Sequence, residues 1–151
     1  MEIVSLIVGG LAAYALGIPW YMALSKPWMA AAGVTQEQIQ GTSDAGGGPN
    51  PMPFIMALVF WMITSALMHF VLLPAADAHV VMAIESGREV ANNWMPRLVF
   101  TAAAWASFAL LSTILSTMYG MRGLNLIWID GLYTLAGGLV IAIAFSTLGQ
   151  M

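Results

Sequence analysis

Four long stretches of this sequence are almost free of charged side chains. They are residues 3–24, 54–73, 98–119 and 124–148, and the last of them contains the one charged residue, Asp130. Each stretch reaches the ~20 apolar residues with which a helix crosses about 30 Å of hydrocarbon. In hydrocarbon the backbone must satisfy its own hydrogen bonds, and the alternating pattern of a membrane β-barrel is missing. The stretches therefore predict four transmembrane helices.

The composition agrees with a chain that lies in a lipid bilayer. Of its 151 residues, 60% are hydrophobic and 7% are charged, whereas a soluble domain has about 25% charged residues. A net charge of −3 argues against nucleic acid as a partner, because phosphate binding needs a basic surface. Cysteine is absent, which excludes disulfides and Cys-ligated metals. We predict an all-α fold: a single membrane domain over residues 1–151, built as an antiparallel up-down bundle of four transmembrane helices.

The connections between the spans are expected to contain short interfacial helices. Residues 26–33 have an early proline and end in Gly33, a pattern typical of a short helix in the headgroup layer. Residues 41–53 are rich in glycine and proline and predict a flexible linker. The connection over residues 74–96 contains an apolar segment, about 78–90, which predicts a second short helix on the membrane or over the bundle.

The third and fourth spans are separated only by residues 120–123, so we expect an antiparallel hairpin there. The cations divide equally between the two predicted sides, Lys26 and Arg122 against Arg88 and Arg97. Few acids accompany Lys26 and Arg122 near the membrane, so we expect both termini on the opposite, non-cytoplasmic side. Arg97, at the start of the third span, is expected to snorkel towards the interface.

Small residues recur at helical spacing within three spans. Because helices in lipid associate through close backbone approach, such stripes predict packing seams. The stripes are Gly9, Ala13 and Gly17 in the first span, Ala104, Ser112, Ser116 and Gly120 in the third, and Gly138, Ala142 and Ser146 in the fourth.

One end of the predicted bundle collects most of the polar and aromatic groups. Asp130 lies about two turns inside the fourth span, and a charge at the bilayer centre costs ~2.5–3.5 kcal/mol, so this acid should be near an end, paired, protonated or in contact with water. Four alternating crossings bring the end of the first span and the start of the fourth to the same side. The residues gathered there are Trp20, Tyr21, Lys26, Trp28, Tyr119, Arg122, Asn125, Asp130 and Tyr133.

Two interpretations of this cluster remain open. It is a structural clasp that ties the first and fourth spans together, with Lys26 or Arg122 as the counter-ion of Asp130, or it is a site for a proton or a ligand, since intramembrane acids are often functional. We predict no catalytic residue and no metal site.

His69 lies near the other end of the second span. An intramembrane histidine can ligate haem or a chlorophyll-type pigment, or relay protons. A second inward histidine at the same depth is missing, because His79 falls in the following connection. We therefore predict no cofactor and favour a hydrogen-bonded interfacial histidine.

Both ends of the chain contain motifs of a known family. They are GIPWY at 17–21, KPWM at 26–29, Gly33, RG at 122–123, IDG at 129–131 and Tyr133. With these motifs the chain resembles the bacterial family of domain of unknown function 1761. The middle of the chain agrees only in hydropathy, and residues 74–96 do not match the family pattern. The resemblance implies a four-helix protein of the bacterial inner membrane and no assigned activity.

No reaction motif accompanies this architecture, since phosphate loops, HExxH and Ser/His/acid arrangements are absent. We expect a non-enzymatic accessory or structural subunit that packs against a larger membrane complex of respiratory or photosynthetic type, or against itself. The alternative is a small oligomeric transporter or channel with Asp130 as its proton or cation site. An intramembrane enzyme that acts on lipid has the least support.

Overall fold

The described part of this chain is almost entirely helical. The computed structural model describes residues 2–36, 51–87 and 94–148, and these contain no β-strand. The helices are α1 (Glu2–Ala23), α2 (Ser25–Ala32), α3 (Met52–Leu67), α4 (Leu73–Glu85), α5 (Trp94–Ala104), α6 (Leu111–Tyr119) and α7 (Asn125–Leu148). Two π-helical segments, Met68–Leu72 and Trp105–Leu110, join α3 to α4 and α5 to α6. The described residues thus form four long helices, namely α1, α3–α4, α5–α6 and α7.

All four long helices are long and apolar enough to cross a membrane, which confirms the predicted number. The first and fourth have nearly the predicted bounds, since α1 ends at Ala23 and α7 begins at Asn125. The third begins at Trp94, one turn earlier than residue 98, where the sequence predicted its start.

The second long helix continues past residue 73, where the sequence predicted its end. It runs over Met52–Glu85, so the described part of the segment 78–90 is not a separate short helix, and residues 88–90 lie outside the described residues. Pro74 does not end the helix because it lies in the first turn of α4, directly after the π-helical segment. The wider π turn already interrupts the α-helical hydrogen bonding, so the missing N–H of proline is tolerated there.

The predicted linker and the predicted short helix have different outcomes. Residues 41–50 of the linker lie outside the described residues, and its last two residues already belong to α3. The short helix is confirmed as α2, which ends at Gly33 in a left-handed conformation with φ of 70°. Glycine adopts that conformation without strain.

The turn between α6 and α7 packs against α2. The Gly123 amide donates a hydrogen bond to the Ala31 carbonyl oxygen at 2.8 Å. A Cβ atom at Gly123 would lie 2.9 Å from the Ala31 Cα, so this approach of two backbones requires glycine. The contact holds the turn between α6 and α7 against the end of α2.

The core lies between α1, α3 and α7. Its buried residues include Ala13, Trp61, Tyr133 and Ile141, and α1 makes its most extensive contacts with α7. The small-residue seam of the first span is confirmed, because Gly9 lies against Ile141. The absence of side chains at this seam brings the two helices close together.

The small residues of the fourth span also pack within the chain. Gly138 lies against Thr101 of α5, and Ala142 is fully buried. Ser146 accepts a hydrogen bond from Arg97. This predicted seam is therefore confirmed as the contact between α7 and its neighbours.

The third long helix is peripheral. Of an apolar stretch of 18 residues in this helix, 6% is buried inside the chain, whereas 44% of the corresponding stretch of α7 is buried. Trp105 attaches it to α7, donating hydrogen bonds to the Gly131 carbonyl oxygen at 2.9 Å and to the Thr134 hydroxyl at 3.0 Å. The predicted seam of this helix does not pack within the chain, because Ser112 and Ser116 are exposed. Gly120 is exposed as well, and Ala104 is only partly buried.

Candidate functional site

Asp130 joins α7 to α1 and α2. The Tyr21 hydroxyl donates a hydrogen bond to Asp130 Oδ1 at 2.9 Å, and Trp28 Nε1 donates to the same oxygen at 3.1 Å. Next to it, Trp20 Nε1 donates to the Ile129 carbonyl oxygen at 3.1 Å. Three aromatic side chains from the end of α1 and from α2 thus hold the beginning of α7.

A second hydrogen-bonded pair lies one turn further along α7. Trp61 Nε1 donates to the Tyr133 hydroxyl at 2.7 Å, and this hydroxyl donates to the Ala13 carbonyl oxygen at 3.3 Å. A Cβ atom at Gly17 would lie 2.6 Å from the Tyr133 hydroxyl oxygen, so glycine makes room for the ring. Both aromatic side chains are buried, and both polar atoms have partners.

The aromatic rings form a continuous set between these two levels. Tyr21 meets Trp28 and Tyr133 edge to face, with ring centroids 6.0 and 5.1 Å apart. Tyr133 in turn meets Trp61 edge to face at 5.3 Å and Trp20 at 6.3 Å. Such packing restricts the rings to one arrangement. The Asp130 cluster, as we use the term, consists of Trp20, Tyr21, Trp28, Trp61, Asp130 and Tyr133.

Four residues of the predicted group do not enter this cluster. Lys26, Arg122 and Asn125 are exposed, and so is Tyr119, at 85%. Within the described residues neither cation forms an ion pair with Asp130; its partners there are two neutral donors. Arg122 acts on the carboxylate through its charge, while a phenol and an indole supply the hydrogen bonds.

The two oxygens of the Asp130 carboxylate differ in their surroundings. Both donors meet Oδ1, and no described residue donates to Oδ2. In the same part of the chain every fully buried side-chain oxygen and nitrogen has a partner, so Oδ2 retains accessible surface. The hydrogen bonds to Oδ1 hold the carboxylate in place. Its other oxygen, Oδ2, can accept a proton or bind a cation.

Arg97 forms a second polar contact that the sequence interpretation missed. It is 5% exposed, and its Nε and Nη2 donate to the two carboxylate oxygens of Asp77 at 2.8 and 2.9 Å. Its Nη1 donates to the Ser146 hydroxyl at 3.2 Å, and the guanidinium lies over the Phe145 ring at 4.9 Å. The expectation that Arg97 snorkels to the interface is therefore wrong: the side chain ties α4, α5 and α7 together.

His69 is buried in the first π-helical segment, far from Asp130. Its ring meets Phe145 edge to face at 4.7 Å and Phe70 at 5.1 Å. Phe145 lies 15 residues after Asp130 on α7, or about 22 Å along the helix axis. His79 packs instead on Phe100. No group of three or more metal-ligating side chains occurs within residues 2–36, 51–87 and 94–148.

Sequence reasoning grouped Trp20, Tyr21, Trp28, Asp130 and Tyr133 by topology, and the structure places all five in contact. It overlooked Trp61. The available signal was chemical, because an indole N–H inside an apolar stretch needs a hydrogen-bond partner.

A family model described as protein of unknown function (DUF1761) matches residues 4–146. The chain belongs to the DUF1761 family. The match includes the connection over residues 74–96, which contains none of the motifs found at the two ends of the chain. No curated protein and no solved structure matches the chain significantly. The description of DUF1761 names no activity.

Proposed function

We propose that this DUF1761 protein is a non-enzymatic integral membrane protein that acts as an accessory or structural subunit of a larger membrane assembly. Its four long helices cross the bacterial inner membrane as an antiparallel up-down bundle. The length and apolar character of these helices support this arrangement. No bound cofactor is part of the proposal.

The observation that carries the proposal is the exposed face of the third long helix. This helix is nearly unburied within the chain, and Ser112 and Ser116 lie on its surface. The Ser116 hydroxyl donates to the Thr113 carbonyl oxygen at 3.1 Å, so it is satisfied within its own helix. Small side chains of this kind let a neighbouring helix approach closely, which is how helices associate in lipid.

The polar side chains of the interior support a structural role. Asp130 accepts hydrogen bonds from α1 and α2, and the Asp77–Arg97 ion pair joins α4 to α5. Each of these groups therefore holds two or more helices together. A bundle whose third long helix is bound on one side and exposed on the other is well suited to pack against another membrane protein.

Purification in a mild detergent tests this proposal. We expect the protein to migrate as a complex larger than one chain, with the other components identified by mass spectrometry. Ser116→Phe should reduce the size of the complex, and Ile63→Phe, at an exposed position of α3, should leave it unchanged. A complex that contains several copies of this chain and no other protein would show that the exposed face of the third long helix mediates self-association. A chain that always migrates alone would contradict the proposal.

The proposed orientation puts both termini on the non-cytoplasmic side. It rests on the connections with Lys26 and Arg122, which have few acids next to the membrane. Reporter fusions that are active only in the cytoplasm should be inactive at either terminus and active when inserted at Met121. Activity at one terminus alone would contradict an even number of crossings.

The accessible oxygen of Asp130 favours a second candidate function, a small oligomeric transporter or channel. A carboxylate with one fixed and one open oxygen is suited to take up a proton or a small cation. Asp130→Asn should then abolish proton uptake into proteoliposomes, measured with an internal pH-sensitive dye, while the oligomer stays intact. Absence of uptake by the wild-type protein would exclude this candidate for protons.

A further inference from the structure

Asp130, whose Oδ2 has no donor among the described residues, lies near the start of α7. Asp130 is five residues from the start of α7, or about 7.5 Å along the helix axis. If α7 crosses the bilayer, this distance places the carboxylate just beneath the headgroups. Trp20, Tyr21 and Trp28 surround it, and tryptophan and tyrosine are enriched at that level of membrane proteins.

A carboxylate at this depth requires a proton or a cation beside it. The protein supplies two neutral donors to Oδ1 and nothing from the described residues to Oδ2. Lys26 and Arg122 are exposed on the adjoining segments and form no ion pair with Asp130. Arg122 acts on Asp130 through its charge without forming an ion pair with it, so Oδ2 remains open to a cation from outside the chain.

We propose that Asp130 Oδ2 binds the primary ammonium group of an aminophospholipid such as phosphatidylethanolamine. A primary ammonium has N–H donors for a carboxylate oxygen, whereas the quaternary ammonium of phosphatidylcholine has none. Lys26 and Arg122 are available for the phosphate of the same headgroup. The lipid would extend the clasp between α1, α2 and α7 into the bilayer surface.

This inference rests on the membrane location given in the proposed function and is independent of the accessory role. A protein that packs against no partner can still bind the headgroup. A protein outside the membrane would be recovered without detergent and would bind no phospholipid class, which distinguishes the two failures.

Native mass spectrometry of the protein with defined lipids provides the test. The purified chain is titrated in detergent with phosphatidylethanolamine, its N-methyl and N,N-dimethyl forms and phosphatidylcholine, all with identical acyl chains. A hydrogen bond to a charged group predicts roughly tenfold tighter binding of phosphatidylethanolamine than of phosphatidylcholine. Affinity should fall with each methyl group added. Equal affinity of the wild-type protein across this series would overturn the proposal.

Variants locate the effect at Asp130. Asp130→Asn should remove the preference for phosphatidylethanolamine, and a variant that keeps it would overturn the proposal. The matched control is Glu85→Gln, because Glu85 is an exposed carboxylate at the end of α4. If Asp130→Asn does not fold, the methylated lipid series on the wild-type protein remains the deciding test, because equal affinity across it overturns the proposal.

A soluble amine separates a lipid headgroup from a free cation. Ethanolamine at the concentration of the titrated lipid should not displace phosphatidylethanolamine, because the acyl chains and the phosphate add to the binding of the lipid. Displacement at equal concentration would assign the site to free amines and would overturn the lipid proposal.

Discussion

The Trp61 indole donates a hydrogen bond to the Tyr133 hydroxyl at 2.7 Å, and the two rings meet edge to face between α1, α3 and α7. The same hydroxyl donates to the Ala13 carbonyl oxygen, so three helices share one buried polar contact. In an apolar interior a polar group without a partner is costly. This contact therefore specifies how the three helices are rotated against one another.

Replacement of Tyr133 by phenylalanine tests the energetic weight of this contact. The ring remains, but the buried Trp61 N–H loses its acceptor. Leaving such a donor unsatisfied should lower the free energy of unfolding by about 1–3 kcal/mol, measured by denaturant titration in detergent. Tyr119→Phe is the control, because Tyr119 is 85% exposed. Equal stability of Tyr133→Phe and wild type would show that the hydrogen bond contributes little.

Two glycines of α7 should respond to alanine in opposite ways. A Cβ atom at Gly137 would clash with the buried Trp61 ring, whereas at Gly131 the nearest atom would be 3.6 Å away. Gly137→Ala should therefore lower the melting temperature. Gly131→Ala should leave it unchanged or raise it, because alanine is favoured over glycine in a helix by about 1 kcal/mol. A stable Gly137→Ala variant would show that Trp61 can move.

The positions of the four long helices follow from the charge-free stretches, because length and apolarity alone decide which segments can cross hydrocarbon. The end of the second helix does not follow from them. Pro74 reads as a terminator, but the preceding π turn accommodates it within a continuous helix. A one-residue widening of a helix has no signature in hydropathy, so the sequence pattern does not predict that the helix continues beyond Pro74.

The site was predictable to the extent that topology decides it. Alternating crossings were enough to bring Tyr21, Trp28 and Asp130 to one end. The rotation of a uniformly apolar helix is not encoded in its hydropathy, and so the inward position of Trp61 was missed. The pairing of Arg97 with a residue 20 positions away depends on how α4 continues beyond Pro74.

The Asp77–Arg97 pair should behave as a partly buried ion pair. Asp77→Leu leaves the Arg97 charge in a site where its side chain is 6% exposed. Breaking a fully buried pair on one side costs about 3–5 kcal/mol, and we expect a smaller loss here because the Asp77 side chain is 35% exposed. Replacing both partners by apolar residues is often neutral. The double variant Asp77→Leu/Arg97→Met should thus be more stable than Asp77→Leu alone. Additive losses in a double-mutant cycle, measured by denaturant titration in detergent, would show that the pair is not coupled.

The transport alternative and the structural clasp make different predictions for Asp130. If the clasp is its only role, Tyr21→Phe and Asp130→Asn should both lower stability, because each weakens the contact at Oδ1. Proteoliposomes with either variant should then show the same proton permeability as wild type. A loss of permeability in Asp130→Asn alone, with unchanged stability, would favour transport.

The central claim is that the third long helix faces another polypeptide within a membrane, and photo-crosslinking in native membranes tests it most directly. A photoreactive amino acid is placed in turn at Ser112, Ser116 and the adjacent buried Thr117, and at the exposed Ile63 of α3. We predict adducts with a second polypeptide at Ser112 and Ser116, and none at Thr117 or Ile63. Adducts with lipid alone at the exposed positions Ser112, Ser116 and Ile63 would contradict the claim.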